Sequence, residues 1–310
     1  MTTYSAVLPG FTTAATANMR DFMNSFVTLL TNAGFTQSAD TGQLVIASSP
    51  AYVSTSTTSY GYQIWYLDDT QHATYPIYIK FNFWMGTTSS LGYQWVVGHA
   101  TDGAGNITGY KFPAAGYYSG STNTIAQQAG ASNSSRAVSL DGYGALYHAP
   151  PTSATFGYGH IFIISREWDD STGAIKTGGN YTITHNQGTT SYGLVQVSIN
   201  RANSTYVEWA SSSTLQGYGG CLVPGILTNS PATASQNAGT TDIFKHWHSY
   251  PTYTPSGGSC TYQIAEITQM TTFSTQILTG GSARTWLATG NPRWAVGSAG
   301  TNHALALLWE

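Results

Sequence analysis

Apolar and polar residues alternate most clearly between Tyr60 and Gly109, where three dense aromatic segments follow one another: Tyr62–Leu67, Pro76–Trp84 and Tyr93–Gly98. β-Branched and aromatic residues with a period of two predict strands, and the breaks between them are supplied by Asp68-Asp69, by the stretch from Gly86 to Gly92 and by Asp102-Gly103-Ala104-Gly105-Asn106. The expected product is an antiparallel meander whose apolar face centres a core, with a tight turn at Asp102-Gly103 or Gly105-Asn106. One segment carries the other period. Met19, Phe22, Met23, Phe26, Leu29, Leu30 and Ala33 recur at i, i+3, i+4, i+7, which predicts an amphipathic helix over about 18–33. Asn18 suits its N-cap, Asp21 its first turn, and Gly34 the position just past its end. The apolar stripe is expected to pack on the sheet or plug an end of a sandwich, or else to meet a neighbouring subunit.

The remaining chain reads as short strands. Gln43–Ala47 and Ala51–Val53 precede the meander; Arg136–Leu140, Ala145–His148, Gly159–Trp168, Tyr181–His185, Tyr192–Asn200 and Thr205–Ala210 follow it. The unbroken apolar run in Gly159–Trp168 implies cover on both faces, with Tyr181–His185 returning beside it. Leu222–Leu227, Ile243–His248, Tyr262–Ile267, Arg284–Leu287, Arg293–Val296 and His303–Glu310 complete the series, and the apolar ending implies a docked C-terminus. Residues 1–15 are expected as an extended arm, residues 16–310 as a single β-rich domain, and residues 111–132 as a long loop. The fold class expected is all-β, an antiparallel, jelly-roll-like β-sandwich with one N-terminal amphipathic helix.

Composition changes this picture in one respect. Charged residues are 7% of 310, against about 25% in ordinary soluble domains, so Ser, Thr, Asn, Gln and Tyr must carry solubility. Such a surface repels neighbours weakly and suits a subunit of a fixed assembly. The net charge is -3 and the Lys and Arg residues are scattered singly, which argues against nucleic acid as a partner. No apolar run has the length of a membrane span, and the N-terminus carries no secretion-type leader, so a membrane is not expected as a partner and folding in a cytoplasm is. Cys221 and Cys260 are too few for a disulfide framework; they are read as two reduced thiols, with a bridge as the alternative.

Candidate chemistry is sparse. His246-Trp247-His248 places two imidazoles on one face of a strand, the spacing for a shared metal, but no acidic or Cys ligand adjoins it. Asp68-Asp69 and Asp169-Asp170 offer paired carboxylates for glycoside cleavage, yet adjacent acids in a turn are ordinary turn formers. Neither a G-x-S-x-G elbow nor a phosphate-binding Gly-rich loop occurs. No catalytic residue, metal site or cofactor is therefore assigned, and the chain is expected not to be an enzyme. The 9 Trp and 21 Tyr exceed what one core needs, leaving sugar platforms or flat protein contacts as uses for the surplus. Phe11, Phe112, Tyr117 and Tyr118 lie in the two segments with the fewest periodic apolar residues. They are taken as interface residues that dock on neighbouring subunits, with the strand core indifferent to their loss.

The chain resembles a tailed-bacteriophage virion protein in composition and in its order of elements. Those elements are the N-terminal helix ending at Gly34-Phe35, Tyr62-Gln63-Ile64-Trp65 with Asp68-Asp69, Pro76–Lys80, the turn segment from Gly98 to Gly109, Ile161–Arg166, and the ending Ala306–Glu310. The resemblance spans most of the chain and brings no catalytic residues with it. It implies a structural subunit of the virion, assembled in the host cytoplasm and attached peripherally to tail, collar or capsid. Its expected partners are other virion structural proteins and copies of itself, in a trimer or hexamer. A receptor- or glycan-binding fibre or decoration module is the alternative, and a glycan-cleaving enzyme a further one.

Overall fold

Helix α1 (Met19–Ala33) forms where the 3.6-residue period places it, and every residue of the predicted stripe is buried. Its end follows from Gly34, which takes φ 93°. The Gly34 N–H donates to the Thr31 carbonyl and the Phe35 N–H to the Leu30 carbonyl, both at 3.1 Å. These two bonds satisfy carbonyls the helix leaves open, and Phe35 tucks in beside the last apolar turn.

The computed structural model describes residues 2–8, 19–49, 58–85, 90–112, 124–128, 133–148, 160–166, 175–186, 194–201, 205–208, 223–229, 237–246, 259–266, 272–275, 284–288, 294–295 and 302–308. They are mostly strand, in antiparallel sheets, with α1 as the one α-helix among them. Where the sequence reading takes 16–310 as one domain, the backbone gathers into two compact units. The first holds residues 1–141 and 148–156, the second 142–147 and 157–310.

In the first unit, β1 (Thr2–Leu8) pairs antiparallel with β8 (Asn133–Leu140), Thr2 opposite Ser139 and Leu8 opposite Asn133. The meander forms as expected. β2 (Thr36–Gln37), β3 (Thr58–Tyr66), β4 (Tyr78–Met85), β5 (Ser90–Thr101) and β6 (Ile107–Phe112) pair in sequence order, and β7 (Thr124–Gln128) joins β5 beside Ser90–Gln94. Thus β5 is shared along one edge by β7 and then β6. The predicted loop 111–132 is correspondingly shorter: Lys111 and Phe112 finish β6, and five residues too small and polar to show a period are β7.

Register sorts the meander's side chains into two faces. Gln63, Phe81 and Trp95 stand in one row and Phe83 and Tyr93 in the next, while Tyr62, Asn82 and Gln94 share the opposite face. The first set meets α1: the Phe26 ring lies 5.1 Å from Phe81, 5.7 Å from Phe83 and 4.4 Å from Tyr93. The helix stripe is therefore covered by its own sheet, as the first of the two expectations had it.

The open edge of β3 is closed by the chain itself. Gln37 is the last residue of β2, after which the Ser38 N–H donates to the Ile64 carbonyl and the Leu44 N–H to the Tyr62 carbonyl. Between them the Gln43 side chain accepts the Ile64 N–H at 2.8 Å and donates to the Ser38 and Asp40 carbonyls. A side-chain amide thus stands in for a strand's peptide group. This is why the predicted strand Gln43–Ala47 is absent: the segment crosses the sheet edge and enters a 3-10 turn at Ile46–Ser48.

In the second unit, β9 (Tyr143–His148, its last residue counted with the first unit), β10 (His160–Arg166), β11 (Tyr181–Asn186), β12 (Leu194–Asn200) and β13 (Thr205–Glu208) lie side by side. Phe162 through Arg166 are all buried, so both faces of β10 are covered, and β11 returns beside it with Ile164 opposite Ile183. A second sheet runs β16 (Ser259–Glu266), β15 (Asn237–His246), β14 (Val223–Asn229), β20 (Asn302–Leu308), β18 (Arg284–Ala288), β17 (Thr272–Thr275), with β19 (Trp294–Ala295) on β20. The C-terminal segment is thus a central strand of this sheet.

Candidate functional site

Two clusters in the first unit gather polar and titratable side chains. One is on the face of the meander away from α1. There the Lys80 ammonium sits 3.9 Å from the centre of the Tyr62 ring and donates to the Gly105 carbonyl at 2.8 Å. Burial, and then the like charge of Lys111, hold its pKa below the usual lysine range, while Asp102 and Asp40 act against that shift. The Tyr62 hydroxyl donates to the Thr41 carbonyl at 3.1 Å and lies over the 102–106 turn. Gly105 is required there: its φ is 91°, and a Cβ would run into the Tyr62 hydroxyl.

That turn is organised by Asp102. Its carboxylate accepts the backbone N–H groups of Ala104 and Asn106 and the Asn106 side-chain amide. These bonds, led by the Asn106 side chain, bring its pKa down to about 2. Further along the same face the His72 ring stacks on Tyr66, centroids 4.1 Å apart, and both meet Tyr78 edge-on at 5.8 Å. Tyr66 and Tyr78 are register partners and are half-buried. The Tyr78 pKa is raised by burial and by Asp40. Two polar atoms beside these rings, Asp40 Oδ1 and His72 Nδ1, are enclosed without a hydrogen-bond partner among the described residues.

The second cluster is fully buried on the helix side. The Tyr93 hydroxyl is 2.6 Å from His148 Nε2, and the Ser135 hydroxyl is 2.7 Å from His148 Nδ1. Phe26 of α1 lies 6.3 Å from the imidazole. Sequence reading missed this trio because its members are far apart in the chain, and Ser135 is one polar residue among Asn133, Ser134 and Arg136. The faint signal was Tyr93 and His148 at positions where alternation demands an apolar residue.

Of the interface residues named from sequence, Phe112 alone lies among the described residues. Phe112 is buried beneath Trp95, centroids 6.2 Å apart, and serves the core of its own sheet. Phe11, Tyr117 and Tyr118 lie outside the described residues. Residues 2–8 are extended, as an arm would be, but paired along β8, so the strand core includes them. Of the paired acids, Asp69 is buried and its carboxylate caps the Gln71 N–H at 3.1 Å, whereas Asp68 is exposed; Asp169-Asp170 lie outside the described residues. His246 ends β15, and Trp247-His248 lie outside the described residues. Among the described residues no group of three or more His, Cys, Asp or Glu is placed to hold a metal, and no helix is long and apolar enough to cross a membrane. No family model matches the chain, and comparison with curated proteins and with solved structures yields no match.

Proposed function

We propose that the chain is a structural subunit of a tailed-bacteriophage particle, peripheral to tail, collar or capsid, built as a jelly-roll-like sandwich and assembled in several copies. The observation that carries this reading is the outer face of the meander. It sets half-buried tyrosines at Tyr62, Tyr66 and Tyr78 among Asn and Gln, with the Lys80 charge offset by Asp102 and Asp40. Aromatic, nearly neutral faces of this type suit flat contacts with another protein, where Tyr is enriched and Lys and Glu are depleted. The low charge of the whole chain and the phage-like order of elements support the same assignment. The helix stripe no longer bears on oligomerisation, since the chain's own sheet covers it; the neutral surface still favours a trimer or hexamer. Tyr117 and Tyr118 remain the proposed anchors in the segment that follows Phe112. Mass spectrometry of purified particles tests the reading: the chain is expected as a component present in many copies, and its absence from mature particles refutes the proposal.

The Tyr66, His72 and Tyr78 rings, with the enclosed Asp40 and His72 atoms beside them, favour a second reading as a glycan-binding decoration module. A glycan array separates the two. Binding that is lost in Tyr78→Ala would support the second.

A further inference from the structure

We infer that the Tyr93–His148–Ser135 cluster is an acid-sensitive latch: protonation of His148 breaks it and loosens the packing of α1, β5 and β8 in the first unit. This inference is independent of the proposed function. Both ring nitrogens of His148 face hydroxyl groups, at 2.6 Å and 2.7 Å. A neutral imidazole has one N–H donor and one bare acceptor nitrogen, so in either tautomer one hydroxyl donates to the ring and the other accepts from it. Protonation turns both nitrogens into donors. The hydroxyl hydrogen that had pointed at the bare nitrogen must then turn away, and a full charge enters a site whose walls are aromatic.

The surroundings give that hydrogen little relief. Tyr93 is wholly buried against Phe26, Phe81 and Phe83, with ring centres 4.4, 5.1 and 6.5 Å away. Burial also pushes its phenol well above 10.0, so it keeps its proton and cannot answer a charged imidazole by ionising. Among the described residues, the ring meets Phe26 of α1, Tyr93 of β5 and Ser135 of β8, and of these three Tyr93 is the titratable one. The charged residues of α1 lie elsewhere, Arg20 on the Ser49 carbonyl and Asp21 at the exposed surface.

An unfolded or locally opened chain takes up the same proton freely near the ordinary histidine pKa of about 6.5. Proton uptake is therefore linked to opening. The stability the latch contributes is present above that pH and falls as the pH drops below it.

Hydrogen exchange followed by mass spectrometry on the full chain, corrected for the intrinsic pH dependence, reads this segment by segment. Between pH 7.5 and 5.5 the protection of segments 90–101 and 133–148 is expected to fall by up to about tenfold, the most that linked uptake of one proton gives across this interval. In His148→Gln, whose amide both donates and accepts but does not titrate, that fall should vanish. Protection indifferent to pH in the wild type, or an equal fall in the variant, overturns the latch. Should His148→Gln not fold, ring-nitrogen NMR of the wild type decides. One of the eight histidines must stay neutral until protection is lost, and reversible titration of all eight in the folded chain would overturn the inference.

Discussion

The two faces of the meander are built from alternate residues of the same strands and both carry several aromatic rings, yet they behave differently. On the helix side, Phe81, Phe83, Tyr93 and Trp95 are wholly buried, and the polar atoms among them, on Tyr93, Ser135 and His148, bond one another. On the other side, Tyr62, Tyr66 and Tyr78 are half-buried, and they hold cations, turn carbonyls and another ring. Abundance of Tyr and Trp therefore does not distinguish core from outer face. What distinguishes them is which residues stand in the same cross-strand row and whether α1 lies over that row.

Replacing side chains on each face in turn sharpens this contrast. The largest effect is expected from Phe26→Ala, which leaves a cavity among Phe81, Phe83 and Tyr93 and should cost about 3–5 kcal/mol of first-unit stability in urea unfolding. A loss under about 1 kcal/mol would mean that the helix is not seated on this face. Next comes the sheet edge. Gln43→Ala strands the Ile64 N–H and is expected to cost about 1–3 kcal/mol, with faster amide exchange at Ile64 as the local sign. On the outer face Lys80→Met should cost at most about 1 kcal/mol, since the ammonium lies over Tyr62 at a solvated surface; a larger loss would move this face into the core.

The smallest effect is that of Asp102, and acid abolishes it. Its folded-state pKa of about 2 lies below the ordinary 3.8, so its contribution is present above 3.8 and is lost as the pH falls toward 2. Asp102→Ala should lower stability above pH 3.8 and flatten the acid limb, so that wild type and variant converge as the pH falls toward 2. A variant that loses stability equally at pH 3 and pH 7 would show that the turn needs the side chain's shape rather than its charge.

Legibility in the sequence followed the length of the pattern. The helix was readable to its last residue because seven apolar positions and Gly34 agree, and the meander because three long aromatic segments alternate. Short elements failed. β1 reads as an arm because Thr2–Leu8 is small and weakly periodic, and only its pairing with β8 fixes it. β7 is hidden for the same reason. Gln43–Ala47 looked like a strand, but the Gln43 side chain supplies the edge bonds a strand would have made. Phe112 looked like a lone aromatic at the start of a loop, whereas Val97 stands opposite it and Trp95 covers it. The buried trio leaves only the faint trace of Tyr93 and His148 at apolar positions, since contacts between residues 93, 135 and 148 have no local pattern in sequence.

The claim that the outer tyrosine face is a contact surface of a particle subunit is tested most directly by Tyr66→Ser combined with Tyr78→Ser, followed by measuring incorporation of the chain into purified particles. The account predicts a chain that folds with an unchanged urea midpoint and is incorporated less by about tenfold or more, as loss of two tyrosine anchors from a contact implies. Incorporation equal to wild type, or unfolding of the isolated chain, would contradict it.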